Sequence, residues 1–317
     1  MAIELTINTD MGGTNLIRVA GWITTNLYKR YGLDCKFHLL TANGAVDAIN
    51  EIDEGDVDMG VLTPAEVTNM SCKGIGMFEG QDPKKHLRSI FCIPHDDEHV
   101  LSVTEESGLM SFDDVFNPNG KKIRVITTPY TGDSLMGHIF IKILSIYGKT
   151  IEQWEMEGGE LKTYMDPFDA FSAMLNGEGD ALYFEAFMLR PWTRLANTLN
   201  LRFLSVPKKL VEPLAEWGVP SFIMQPDGKR GFDEPIRVLQ YAKFLFSCRD
   251  DAPDYIVRAI TEIALDTTHE IERDYRTEEI QYRCITLPIT GQMLANTCGV
   301  PLHPAAEAVY IERGLIK

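Results

Sequence analysis

Two short loops carry the residue types from which a small-molecule site can be built: "TDMGGTN" at residues 9–15 and "PYTGD" at 129–133. Each stands between an apolar strand-like run and a helix-like run. Each would therefore present backbone N–H groups and the positive end of a helix dipole to a ligand. The first contributes Gly13, Thr14 and Asn15, and the second Tyr130, Thr131 and Asp133, with Ser134 next in line. Asn43 and Gly44 stand on a further loop, Thr63 follows the strand-like "VDMGVL", and Glu185 follows "DALYF". Taken one at a time these are helix caps or turn residues; as a repeated arrangement they point to ligand binding. If the site instead performs a reaction, Asp133 and Glu185 are the acid/base candidates, their pKa values raised as the site closes.

Several chemistries are excluded by spacing. "MGGTN" is no GxGxxG fingerprint, and Walker, GxSxG and HExxH patterns are absent. "HDDEH" (residues 95–99) has metal-ligating residue types, but His95, Asp97 and His99 converge only on an extended segment, and a solvated turn is expected instead. The six cysteines (Cys35, Cys72, Cys92, Cys248, Cys284 and Cys298) form no CxxC pair and no zinc spacing, and read as small buried hydrophobes. No metal or cofactor is called for. Unpaired thiols suit a reducing compartment or an anaerobe's exterior.

The elements that must position these loops repeat. "DEGDVDMGVLTP" and "NGEGDALYFEAF" each place Gly, two residues, Asp and then an apolar strand after a helix-like stretch; Gly55 to Gly177 and Asp58 to Asp180 are both 122 residues apart. Upstream of the first corner, "IELTIN", "LIRVAGWITTNLYKRYG", "DCKFHLLTA" and "NGAVDAINEIDEG" read strand, helix, strand and helix, the last capped by Asn43. "KKIRVITT", "SLMGHIFIKILSIYG" and "DPFDAFSAMLNGEG" restart the order, with Asp166 as cap and Pro167 at the first helical position. The chain thus builds two similar α/β lobes with loops at the carboxyl ends of their strands, and such loops border a ligand cleft. Lobe one is expected to hold residues 1–95, completed by about 216–317, and lobe two residues 100–215.

"SIFCIPHDDEHVLSVTEES" reads as two strands near the crossover, and "GVPSFIMQPDGKRG" as a Gly/Pro loop. "VLQYAKFLFSCRD" and "APDYIVRAITEIALDTTHEIERDY" read as helices. In the tail, Pro301 and Pro304 make the backbone around His303 extended and rigid, "AAEAVYIERG" is helical with Gly314 placed to end it, and His303 is expected to bond to backbone within a structural clasp.

At 317 residues, 44% of them hydrophobic and with a net charge of −16, the chain reads as a folded protein that does not bind nucleic acid or anionic membranes. No stretch approaches the ~20 apolar residues of a membrane span, so direct membrane insertion is not expected. The start "MAIELTINTD" lacks signal-peptide features, which leaves a cytoplasmic protein or an extracytoplasmic one whose signal was removed.

These pieces together resemble the TAXI-type solute receptors of TRAP transporters, over nearly the whole chain. The resemblance rests on "GGTN", the "GDVDMGV" corner, "PYTGD" and above all "VPLHPAAEAVYIERG". It implies a type 2 periplasmic-binding-protein fold, with two mixed-sheet α/β lobes closing around a small organic acid, a carboxylate or amino acid, that is passed to a TRAP membrane permease. Ala45 follows Gly44 where the family has Ser, and Tyr130, Thr131 and Asp133 stand where it has Gly, Ser and Thr. A carboxylate at Asp133 would repel an anionic ligand unless a cation or proton intervenes. The alternative on the same scaffold is a cytoplasmic decarboxylase or lyase acting on an aromatic or small organic acid.

Overall fold

A computed structural model describes residues 3–95, 97–185, 190–226, 232–241, 243–278 and 283–317, with Thr14 as backbone only. Among these, the strands are β1 (Ile3–Asn8), β2 (Cys35–Leu40), β3 (Met59–Leu62), β4 (Leu87–Ile93), β5 (Glu98–Thr104), β6 (Ile123–Thr127), β7 (Gly159–Thr163), β8 (Ala181–Phe184), β9 (Leu201–Leu204), β10 (Ser221–Met224), β11 (Ile236–Gln240) and β12 (Phe244–Arg249). The chain divides into one unit of Met1–Asp96 with Ala242–Lys317 and another of Asp97–Tyr241.

The sheet of the first unit runs β2-β1-β3-β12-β4. β1 lies parallel to β2 and β3, while β12 is antiparallel to β3 and β4. In the second unit the order is β10-β11-β5-β8-β6-β7, with β9 also on β5; β6 is parallel to β7 and β8, and β5 is antiparallel to β8. Each sheet therefore holds the same parallel trio, the first strand of the module at its centre, flanked by one antiparallel strand. Both sheets are mixed, and the class is α/β.

The repeated corner has one physical cause in both places. Gly55 ends the helix Ala45–Glu54 at φ 82° and Gly177 follows the helix Pro167–Leu175 at φ 72°, a left-handed turn that glycine makes without strain. The aspartate three residues on then clamps the central strand. Asp58 Oδ2 accepts the Thr6 N–H at 2.7 Å, and Asp180 Oδ2 accepts the Arg124 N–H at 2.8 Å. Each aspartate also returns its own N–H to the same residue's carbonyl. Gly60 lets the helix sit on β3, since a Cβ there would lie 2.6 Å from Ile52 Cδ1.

Elsewhere the expectations need correction. "VLQYAKFLFSCRD" is not a helix: it holds β11 and β12, whose Val238, Leu239, Leu245 and Phe246 are buried. Short, nearly continuous apolar runs have no period that separates strand from helix, and here two-sided burial in a sheet decides. "GVPSFIM" contains β10 instead of only loop, and β10 pairs with β11, which pairs with β5. β10 and β11, expected with the first unit as part of residues 216–317, thus belong with the second. The long helix after Pro253 is two, Asp254–Asp266 and Thr268–Arg276, broken at Thr267.

The helix Pro167–Leu175 starts as expected, with Asp166 accepting from the Phe168 N–H at 2.7 Å. The tail helix, Pro304–Glu312, starts one residue before the expected Ala305 and buries Ala306, Val309 and Tyr310 in the first unit. Tyr310 donates its hydroxyl to Ile90 O at 3.1 Å, and His303 N–H donates to Ser89 O at 2.9 Å. Arg258 grips Glu312 with both guanidinium nitrogens.

Candidate functional site

In the first unit, the loops leaving β1, β2 and β3 meet at one sheet edge, and Asp10 ties them together. Asp10 is fully buried and left-handed (φ 51°), a conformation that Asp tolerates better than most residues. Its N–H donates to Asn8 Oδ1 at 2.7 Å, and its carbonyl takes the Ala42 N–H at 2.7 Å from the β2 loop. Its carboxylate takes the Met11 N–H at 2.7 Å and the Thr63 N–H at 3.0 Å from the β3 loop. Thr9 adds a bond from its hydroxyl to Leu40 O at 2.9 Å. Gly12 is needed here, because its φ is 75° and a Cβ would stand 2.7 Å from Thr41 Cγ2.

The helices Thr14–Tyr31, Ala45–Glu54 and Ala65–Lys73 start from these loops at Gly13, Gly44 and Pro64, none of which makes a side-chain cap bond, and Asp47 and Glu66 stand in the first turns of the second and third. Their first-turn N–H groups and dipole ends are the kind that bind anionic or polar ligand atoms. Asn43 is not the cap expected of it; its amide binds the Asp47 carboxylate instead. Asn15 Oδ1 accepts from the hydroxyl of buried Tyr275 at 2.9 Å, which fixes the first turn. Thr63 presents a buried hydroxyl that no described group satisfies. Of the residues chosen from sequence, Gly13, Thr14, Asn15, Asn43, Gly44 and Thr63 therefore all lie on this one edge, with Thr14 placed by its backbone.

In the second unit the loop after β6 folds onto its own helix, Leu135–Ile146. Ser134 hydrogen-bonds Thr128 Oγ1, which in turn accepts the Gly137 N–H at 2.9 Å, so Ser134 serves the turn and Thr128 acts as the cap. His138 Nε2 donates to Gly132 O at 2.9 Å, while Tyr130 and Thr131 are exposed and Asp133 is half-buried.

Glu185 follows β8 at the same end of the parallel trio. It lies beside Asp97. The "HDDEH" segment is not a solvated turn, because His95, Asp97 and His99 are buried and β5 starts at Glu98. Burial, then the charges of Glu185 and Glu98, push the Asp97 carboxyl well above the usual carboxylate range, and Asp97 and Glu185 share a hydrogen bond. Two carboxyls this close disfavour double ionisation, so the protonated form of Asp97 is favoured. Val100 pairs with Phe184, and continuing that register sets Glu185 beside His99 on one sheet face. His99 is 1% exposed, neither ring nitrogen has a described partner, and burial lowers its pKa to about 3, so the ring is neutral. Its ring lies 6.2 Å from that of Tyr183, whose buried hydroxyl is equally unsatisfied.

The sequence reading missed Asp10, Thr128, Asp97 and His99. The last two lay in a flagged motif, and strand alternation was the signal for placing them on one face. Asp10 had none beyond its place before two glycines. Among the described residues no group of three or more His, Cys, Asp or Glu is placed to hold a metal. An open hollow lined by Glu4, Gly55, Asp58 and Arg249 lies at the amino ends of β1 and β3, away from these loops.

Two units, each a mixed open sheet whose parallel trio sends loops into helix N-termini, define the fold of the periplasmic solute-binding proteins. A TctC solute-binding protein from Polaromonas is similar over 99% of this chain and 96% of its own, at 12% identity and a TM-score of 0.51. A protein of Bordetella bronchiseptica RB50 is similar over 99% and 98%, at 10% identity and the same TM-score of 0.51. The periplasmic aliphatic sulphonate-binding protein SsuA of Escherichia coli is 15% identical over 98% of this chain and 84% of its own, with a TM-score of 0.48. Residues 12–314 match the NMT1-like family, and the chain belongs to that family.

Proposed function

We propose that this protein is a solute-binding protein with no chemistry of its own, holding a small organic solute for delivery to a membrane transporter. One observation carries the reading: three helix N-termini whose N-cap residues, Gly13, Gly44 and Pro64, make no side-chain cap bond gather at the edge that Asp10 organises. Each contributes ~0.3–1 kcal/mol toward a negative group, and more once water is excluded. The Thr63 hydroxyl adds a donor.

The finer reading is a TAXI-like receptor serving a TRAP permease, for which the "VPLHPAAEAVYIERG" tail is the support. That reading places the protein outside the cytoplasm. Mass spectrometry of the intact protein under non-denaturing conditions tests the binding role. A stoichiometric small molecule released on unfolding is expected; a ligand-free protein that binds no amino acid or carboxylate in calorimetry would remove it.

A second reading, the decarboxylase or lyase, is favoured by the hydrogen-bonded Asp97–Glu185 pair, in which burial and charge raise the Asp97 carboxyl toward the range of a general acid. It requires turnover: product accumulating beyond one equivalent per protein, and lost in Glu185→Gln.

A further inference from the structure

Cys298 stands in a tight turn before the tail helix, itself left-handed at φ 55° and followed by Gly299 at φ 86°. Thr297 closes the turn, its hydroxyl donating to Val300 O at 2.7 Å. The turn is pressed against the helix Ala65–Lys73, where a Cβ on Gly299 would lie 3.1 Å from Asn69 Oδ1. Its thiol therefore faces a small apolar cluster of Ala65, Cys92, Leu245 and Val300, on which half-buried Cys72 and Cys298 both pack. Cys92 is fully buried on β4, opposite Leu245 of β12.

The groups facing Cys298 are unequal. Cys92 hydrogen-bonds its sulfur, and the Lys243 ammonium does the same from the turn before β12, where Lys243 is left-handed at φ 71°. Together, the Cys92 bond first, these hold the Cys298 thiol down to about 6 against its burial. Cys92 is pushed the other way, by burial and by its bond to Cys298, with Lys243 opposing and the Glu66 charge adding to the rise. Cys72 shares the cluster but is raised, mainly by burial. One of three neighbouring thiols is thus a nucleophile near neutral pH, and it touches a second thiol that can stay protonated.

We propose that Cys298 and Cys92 are a redox pair, with Cys298 as the attacking thiolate and Cys92 as the resolving thiol, oxidised by small-molecule disulfides. In the first step the Cys298 thiolate attacks one sulfur of the disulfide, forming a mixed disulfide and expelling one thiolate, which takes up a proton. In the second, Cys92 gives its proton to solvent and attacks the Cys298 sulfur, expelling the second thiolate. The protein loses two protons and two electrons, and the small disulfide becomes two thiols. The closed pair would tie the tail turn to β4.

The test uses the full chain, glutathione disulfide and peptide mapping. The wild type is expected to accumulate the Cys92–Cys298 disulfide, Cys92→Ser to stop at a glutathione adduct on Cys298, and Cys298→Ser to show neither. Iodoacetamide labelling supplies a readout that needs no second thiol. At pH 6 about half of Cys298 is thiolate, against about one part in a thousand for an ordinary thiol of pKa 9. Lower basicity gives back a factor of about 20 in intrinsic reactivity, leaving Cys298 about 20-fold faster. Lys243→Met should slow that labelling while leaving Cys72 unchanged. Cys298 labelling no faster than Cys72, or adducts persisting equally in wild type and Cys92→Ser, would overturn the proposal.

Discussion

Asp10 Oδ2 accepts the Thr63 amide proton at 3.0 Å, joining two loops that lie 53 residues apart in sequence. The same carboxylate holds the Met11 N–H, and the Asp10 carbonyl holds the Ala42 N–H, so one side chain and one peptide set the geometry of three helix entries.

Asp10→Ala should cost about 3 kcal/mol, because it orphans backbone donors and leaves a non-glycine residue at positive φ. Asp10→Gly relieves the backbone alone and should recover about 1 kcal/mol of that. Urea unfolding of the three proteins separates the two contributions; equal stability of all three would show that the loops do not depend on Asp10.

His99 and Asp97 shift in opposite directions, and the signs give opposite pH dependence. His99 has its folded pKa lowered, so the folded state binds fewer protons there and stability falls as pH drops below the unfolded value of ~6.5, by up to ~1.4 kcal/mol per unit. Asp97 has its folded pKa raised, so stability falls as pH rises above ~3.9 toward the raised value. Between about pH 4 and 6.5 the two oppose each other. The wild type should therefore change little in melting temperature over that range, His99→Phe should grow more stable on acidification, and Asp97→Asn less so. Parallel profiles for all three proteins would mean these groups do not titrate as their burial requires.

The tail should act as a clasp. Burial lowers the His303 pKa, leaving Nδ1 unprotonated to accept the Ala305 N–H at 3.2 Å as a helix cap. His303→Ala should cost about 1 kcal/mol, and deletion of residues 301–317 should lower the melting temperature by several degrees. Calorimetric scans check both; an unchanged melt in the deletion would mean the tail does not stabilise its unit.

How much of this was legible depended on whether a residue's role was local. The Gly-x-x-Asp corners could be read because a glycine stop and a strand-clamping aspartate leave the same spacing at Gly55–Asp58 and Gly177–Asp180. Asp166 and Pro167 announced a helix start for the same reason. β11 and β12 could not be read, since their buried apolar runs have no period of their own and their partners lie far away, β12 beside Leu62 and Cys92. Asp10 stayed hidden because its partners, at 42 and 63, are set by sheet order. Asn43 misled because a favoured capping residue stood one place too early and paired with Asp47.

The central claim, that the first unit's helix N-termini receive the ligand, is tested most directly by Gly13→Asp. Gly13 starts its helix at φ −58°, and a Cβ there meets only Leu16 Cδ1 at 3.8 Å, so the backbone accepts the change. The new carboxylate would cap the first-turn N–H groups, a favourable N-cap interaction, while occupying the positions assigned to the ligand. Calorimetric titration with the molecule released from the wild type should show affinity at least about tenfold weaker, with a melting temperature no lower than wild type. A Gly13→Asp variant that binds this molecule as tightly as the wild type would contradict the account.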